Sequence, residues 1–245
     1  MKLRKILRSS AVHSDQDSHT RTGNVGLNRL RAAVLGANDG IVSVASIVLG
    51  VAGATSSKGA IFTAGLAGLT AGALSMAVGE YVSVSAQRDT ERAFVSHEKW
   101  ELETKPNEEL AELASLYEAK GVSPKTAQQV AKELTAKNPL KAHLDAELNI
   151  DPDDLTNPLQ AAIASLFAFV IGAIIPLLSV TLSSANLRFI VTFVSVLVAL
   201  VFTGYLSATA GGASRRRAIL RVVVGGAVAM IVTYGIGKIF GTAVS

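Results

Sequence analysis

Apolar residues fall into five long runs, at about 31–54, 59–85, 159–182, 187–210 and 217–241, with the polar residues swept into the gaps between them. A bilayer core about 30 Å thick takes about 20 mostly apolar helical residues to cross, so each run predicts one membrane span. All the gaps are short but one. Residues 86–158 separate the second span from the third, and there the pattern changes to that of short amphipathic helices. From Glu80 to Lys105 there is neither Gly nor Pro, which predicts that the second span continues as helix until Pro106 stops it. Leu110, Leu113, Leu116 and Tyr117 recur at helical spacing before Gly121, predicting a helix over 107–120. Pro124 opens another over 124–137, Asn138-Pro139 separates it from a last one over 139–149, and Asp151 to Asp154 form a turn. The expected fold class is an all-α membrane protein with five transmembrane helices and a helical domain inserted between helices 2 and 3. Its expected divisions are a disordered tail over 1–28, spans over 29–85, the insert over 86–158, and spans over 159–245.

Charge sharpens that division. The insert holds 15 of the 19 Asp and Glu residues against nine Lys and Arg, although the whole chain carries a formal charge of +4. Lys2, Arg4, Lys5, Arg8, Arg21, Arg29 and Arg31 precede the first span, and Arg215, Arg216, Arg217 and Arg221 flank the fourth gap. The remaining short gaps offer only Lys58 and Arg188, so the positive-inside rule places the N-terminus, the acidic insert and the Arg cluster in the cytoplasm. The Arg cluster fits topology and anionic lipid better than nucleic acid.

Two acids fall inside spans, Asp39 in LGANDGIVS and Glu80 in MAVGEYVS. A charge at the centre of a lipid-exposed helix costs about 2.5–3.5 kcal/mol on insertion scales, which makes Asp39 a candidate ion or proton site rather than only an inter-helix hydrogen-bond partner. Glu80 lies nearer a span end, where snorkelling to water is the plainer alternative. Met76 precedes Glu80 by one helical turn, and a thioether beside a carboxylate suits a transition metal better than calcium or magnesium. In the insert, Glu98 and Glu101 share one helix face and Glu109 and Glu112 share another. The break at Pro106 allows the four carboxylates to converge, with His143 and Glu147 available from the last helix. Such pairs are more commonly a solvated helix face.

Other chemistries lack their letters. Without cysteine there are no disulfides, thiolate sites or Cys nucleophiles. Neither His97 nor His143 is preceded three residues earlier by Glu, as a ferritin-like di-iron oxidase requires, and no phosphate-binding GxxxxGK[ST] loop is present. The chain is expected not to be an enzyme and to carry no prosthetic group.

The segments NRLRAAVLGANDGIVSVASIVLGVAGA, AGALSMAVGEYVSVSAQRDTE and NPLQAAIASLFAFVIGAIIPLL closely resemble the vacuolar iron transporter family, over residues 28 to about 241. The resemblance implies five membrane helices per subunit, a homodimer with its translocation path at the subunit interface, and a cytoplasmic helical metal-binding domain between the second and third helices. It also implies a membrane metal site at Asp39 and Met76 with Glu80 at the entrance. Its cytoplasmic glutamates would be Glu98, Glu101, Glu109, Glu112 and Glu147. Where relatives place methionines before that last glutamate, this chain has His143, Leu144 and Asp145.

The expected function is therefore a homodimeric divalent transition-metal transporter, for Fe²⁺ and also Mn²⁺, that moves metal out of the cytosol by proton antiport. Its partners are metal ions, protons and the bilayer, with no nucleic acid. The membrane is the plasma membrane in a bacterium and a vacuole-like organelle in a eukaryote. The alternative is a membrane-anchored metal sensor or store, against which a carboxylate inside a span argues, since an anchor gains nothing from it.

Overall fold

The computed structural model describes residues 21–244, and among them there are helices and turns but no strand. Eight α-helices follow one another: α1 (Arg21–Ala54), α2 (Lys58–Thr104), α3 (Pro106–Ala119), α4 (Pro124–Lys137), α5 (Pro139–His143), α6 (Pro158–Leu182), α7 (Arg188–Ala210) and α8 (Arg215–Val244), with a π turn over Leu144–Leu148 directly after α5. Residues 1–20 of the expected tail lie outside the described residues, and 21–28 belong to α1. Five helices contain stretches long and apolar enough to cross a membrane: Ala33–Ala54, Lys58–Thr104, Pro158–Leu182, Arg188–Thr209 and Arg215–Gly241.

The chain divides into two compact units. One comprises the helices up to Met76 and from Ala164 onward; the other is Ala77–Ile163.

In the first unit α1 packs on two sides, leaving a stripe with Leu35, Asp39 and Ile47 exposed. Val44 and Val48 pack with Ile61 and Ala73 of α2 and with Phe169, Ala173 and Leu177 of α6. Ile41, Ala45 and Leu49 pack with Val196 and Leu200 of α7 and Met230 of α8. Lipid is as apolar as leucine, so burial drives this packing less than close backbone approach does. A side chain at Gly40 would collide with the Phe169 carbonyl and one at Gly237 with the carbonyl of Gly50. Leu35, Leu182, Phe202, Val228 and Ile239 are exposed, as lipid-facing positions are in a spanning helix.

The second unit is assembled from short helices whose ends are marked in the sequence. Pro106, Pro124 and Pro139 each occupy the first turn of a helix, where the missing N–H would have no intrahelical partner anyway. Asn138 Oδ1 accepts from the Lys141 backbone N–H at 3.0 Å, capping α5. Gly121 has φ +92° and ends the α3 turn, while Asn149, at φ 55°, ends the π turn. Leu113 and Ala114 of α3 pack against Ala131 of α4, with Leu110, Tyr117, Leu134 and Ala142 around them. The return segment is fastened by Glu91 Oε2, which accepts both the Thr156 backbone N–H and its hydroxyl at 3.0 Å. Lys141 bridges Asp151 at 3.0 Å and Asp153 at 3.1 Å.

Candidate metal centres

In the helical unit the i,i+3 spacing turns Glu98 and Glu101 of α2 inward, and Pro106 at the start of α3 sets Glu109 facing them. All three carboxylates are buried, at 4%, 8% and 3% exposure. His143, the last residue of α5, is 1% exposed. Its Nδ1 lies 3.1 Å from Glu98 Oε1 and 3.7 Å from Glu109 Oε2. One donor atom from each of Glu98, Glu109 and His143 can be chosen so that all lie within 4.8 Å of one another. Metal–ligand bonds of about 2.0–2.2 Å hold donors about 3–4 Å apart, so a small closure of these side chains would suffice to ligate one ion.

Burying so much negative charge in one place shifts the protonation of these groups. Burial first, and then the charges of Glu101, Glu112 and Glu98, push the Glu109 carboxyl up to about 6, with His143 opposing. For His143, burial works against protonation, but the contact with Glu98 and the charges of Glu98, Glu109 and Glu147 outweigh it and raise the imidazole above its ordinary value. Neither ring nitrogen of His143 nor Oε1 of Glu98 has a well-aligned hydrogen-bond partner among the described residues. Buried polar atoms are ordinarily satisfied; here the imidazole and the carboxylates face one another at 3.1 and 3.7 Å, an arrangement that a proton shared between them or a cation would complete.

The six residues expected from the insert are not equivalent. Glu98, Glu109 and His143 form the compact triad. Glu101 sits beside it, 3.4 Å from His97 Nε2. Glu112 is half-buried, close enough for its charge to act on Glu109, whereas Glu147 is exposed and acts on His143 through charge. A solvated face, the usual fate of a helical Glu pair, does not describe Glu98, Glu101 or Glu109. Sequence reasoning passed over His97 as a neighbour of Glu101, though its i,i+4 spacing signals it.

The first unit holds a second constellation. Asp39 lies on α1 within a groove lined also by Ser43, Ile47, Gly68, Ala71, Gly72, Ser75, Met76 and Phe169. Asp39 is exposed and accepts a hydrogen bond from the Ser43 hydroxyl at 3.1 Å. Asn38 Oδ1 is buried and lacks a hydrogen-bond partner among the described residues. The groove therefore offers a carboxylate, two hydroxyls and a thioether on helices with stretches apolar enough to cross a membrane. Ser43 and Ser75 were legible only as one-turn and one-residue neighbours of Asp39 and Met76. Glu80 belongs to the helical unit and is half-buried.

Residues 30–238 match the model of the VIT family. A vacuolar iron transporter of Acanthamoeba castellanii is 45% identical over 91% of this chain and 82% of its own length. Vacuolar iron transporter homolog 2.1 of Arabidopsis thaliana is 38% identical over 87% of this chain and 82% of its own. Vacuolar iron transporter homolog 1 of Oryza sativa is 37% identical, over 86% and 74% respectively.

Proposed function

The chain belongs to the VIT family, and from that premise we propose that it transports ferrous iron, with Mn²⁺ as a second substrate, out of the cytosol in exchange for protons. The observation that carries this reading is the pairing of Asp39 with Met76 in one groove on helices apolar enough to span a membrane. A carboxylate alone would hold hard ions; the thioether adds a soft donor suited to a transition metal.

The helical unit is the capture module on the cytoplasmic side, where its acidic centre collects metal. Asp39 then serves as ligand and as proton acceptor in turn, since proton and metal compete for the same carboxylate oxygens. On a single chain Asp39 is exposed, and a lipid-facing charge at that depth is costly. The groove accordingly faces a second copy of the chain, which makes the working unit a homodimer. The membrane is vacuole-like in a eukaryote and the plasma membrane in a bacterium.

The test is uptake of Fe²⁺ and Mn²⁺ by proteoliposomes with an imposed pH gradient, with and without a proton ionophore. Saturable uptake that collapses with the gradient is expected. Uptake indifferent to the ionophore would leave a passive pathway, and the absence of any uptake would leave a sensor or store.

A further inference from the structure

We propose that His143 is the selectivity-determining ligand of the helical unit, binding through Nδ1 and setting the centre's preference for late first-row divalent ions over Mn²⁺, Mg²⁺ and Ca²⁺. The inference rests on the reading of this unit as a metal-capture module, and it adds which atom ligates and what that atom selects.

The chain has three methionines and no cysteine, and residues 77–163 contain neither. No sulfur from within this unit can ligate a metal at the centre. What remains is a set of carboxylates, which as a class suit Mg²⁺, Ca²⁺ and Mn²⁺, and imidazole, which suits Zn, Cu, Fe and Ni. Of the two histidines in the unit, His97 is largely exposed, with its side chain at 61%, and it faces Glu101 from the rim. His143 is 1% exposed and directs Nδ1 between Glu98 and Glu109. Nδ1 lies 3.1 Å from Glu98 Oε1 and 3.7 Å from Glu109 Oε2, and Nε2 is buried with no hydrogen-bond partner among the described residues, so the ring is held at the centre by the two carboxylates that would share the metal with it. Asp145, two residues on, is exposed and lies outside the triad. An all-carboxylate pocket would accept abundant hard cations. One buried nitrogen donor moves the donor set away from those cations and toward the metals that imidazole suits.

The experiment uses the full chain in detergent, free of any affinity tag, with Asp39→Asn to silence the membrane groove and Co²⁺ as an air-stable stand-in for Fe²⁺. The chain contains four histidines, so adding His13→Gln, His19→Gln and His97→Gln leaves His143 as the only imidazole. X-ray absorption of the cobalt-loaded protein is expected to show the outer-shell scattering of one imidazole. His143→Gln is expected to lower Co²⁺ affinity on the order of tenfold or more, the size of loss typical when a metal site's supporting groups are altered, with a smaller loss for Mn²⁺. His143→Glu should restore Mn²⁺ binding without restoring the preference for Co²⁺. Cobalt bound without imidazole scattering, or an unchanged Co²⁺ to Mn²⁺ ratio in both variants, overturns the assignment of His143 while leaving the capture module intact. The absence of stoichiometric Co²⁺ binding to the protein with its histidines intact overturns the capture reading and this inference together.

Discussion

Gly172 of α6 meets the Ala37 carbonyl of α1 so closely that a methyl group at 172 would overlap it. Two residues beyond Ala37 along α1 lies Asp39, and one turn before Ala173 on α6 lies Phe169, which lines the same groove. The approach of these two helices thus fixes the backbone from which the membrane carboxylate projects. Gly172→Ala is expected to cost about 1–3 kcal/mol through overpacking and to reduce transport further than that loss of folded protein explains. The check is thermal unfolding in detergent alongside metal flux normalised to folded protein. An alanine variant with full stability would mean that α1 and α6 can separate without consequence.

Asp39→Asn keeps the side-chain volume and the Ser43 contact while removing charge and proton exchange. Transport is expected to fall to background with the protein still folded and of unchanged oligomeric size. Size-exclusion chromatography and proteoliposome flux measure the two halves of this expectation. Normal flux in that variant would remove Asp39 from the pathway.

Replacing Glu98, Glu101, Glu109 and Glu112 together by Gln, in the Asp39→Asn background, is expected to abolish the remaining metal binding in calorimetry. The same replacement relieves buried like-charge repulsion while giving up the Glu98 contact to His143 at 3.1 Å and the Glu101 contact to His97 at 3.4 Å, so the metal-free protein is expected to stay folded with a small net change in stability. A protein that still binds metal with unaltered affinity would show that these carboxylates are not its ligands.

The pH dependence follows from Glu109, whose carboxyl is raised from 4.5 to about 6, chiefly by burial and next by Glu101. A raised value means that the fold favours the protonated form. The contribution is full below about 4.5 and is lost as pH climbs through about 6. His143 is raised as well, since its carboxylate neighbours outweigh burial, so its contribution is likewise present at low pH and lost as pH rises. The metal-free helical unit is therefore expected to lose stability as pH rises through that window. Metal affinity should climb across the same window, because metal must displace these protons. Trp100, the only tryptophan in the chain, lies on α2 against His97 and reports on this unit. Its fluorescence can follow thermal unfolding with and without Co²⁺ at several pH values. An unfolding temperature of the metal-free protein that rises with pH would reverse the assigned sign.

Glu109→Gln alone isolates that effect. Above about pH 6 the native carboxyl carries a charge that burial penalises, so the variant is expected to be at least as stable as the parent there and to lose the part of the pH dependence that Glu109 supplies, the part from His143 remaining. A clear loss of stability instead would make Glu109 a structural residue.

The elements themselves were fixed by local chemistry. Apolar runs of span length, and a proline at the first turn of α3, α4 and α5, act over a few residues, so the sequence states them directly. The predicted helix over 124–137 has the bounds observed for α4, and the second helix runs unbroken to Thr104 as the lack of Gly and Pro required. The last helix did not keep its predicted form: after His143 it widens into a π turn, a change of hydrogen-bond register with no strong sequence signal. For the sites, the i,i+3 spacing told which glutamates share a face, but not that those faces would be turned inward. That depended on Leu113, Ala114 and Ala131 packing α3 on α4 and thereby carrying α5 and His143 to Glu98. Asp39 was legible as a charge out of place, and a neighbouring Ser as its hydrogen-bond partner, whereas the groove shared with Ser75 and Phe169 was not. Spacing along one helix is a property of the chain, but contact between helices is settled by side-chain volume and by where a glycine lets two backbones meet. Only the folded molecule decides that.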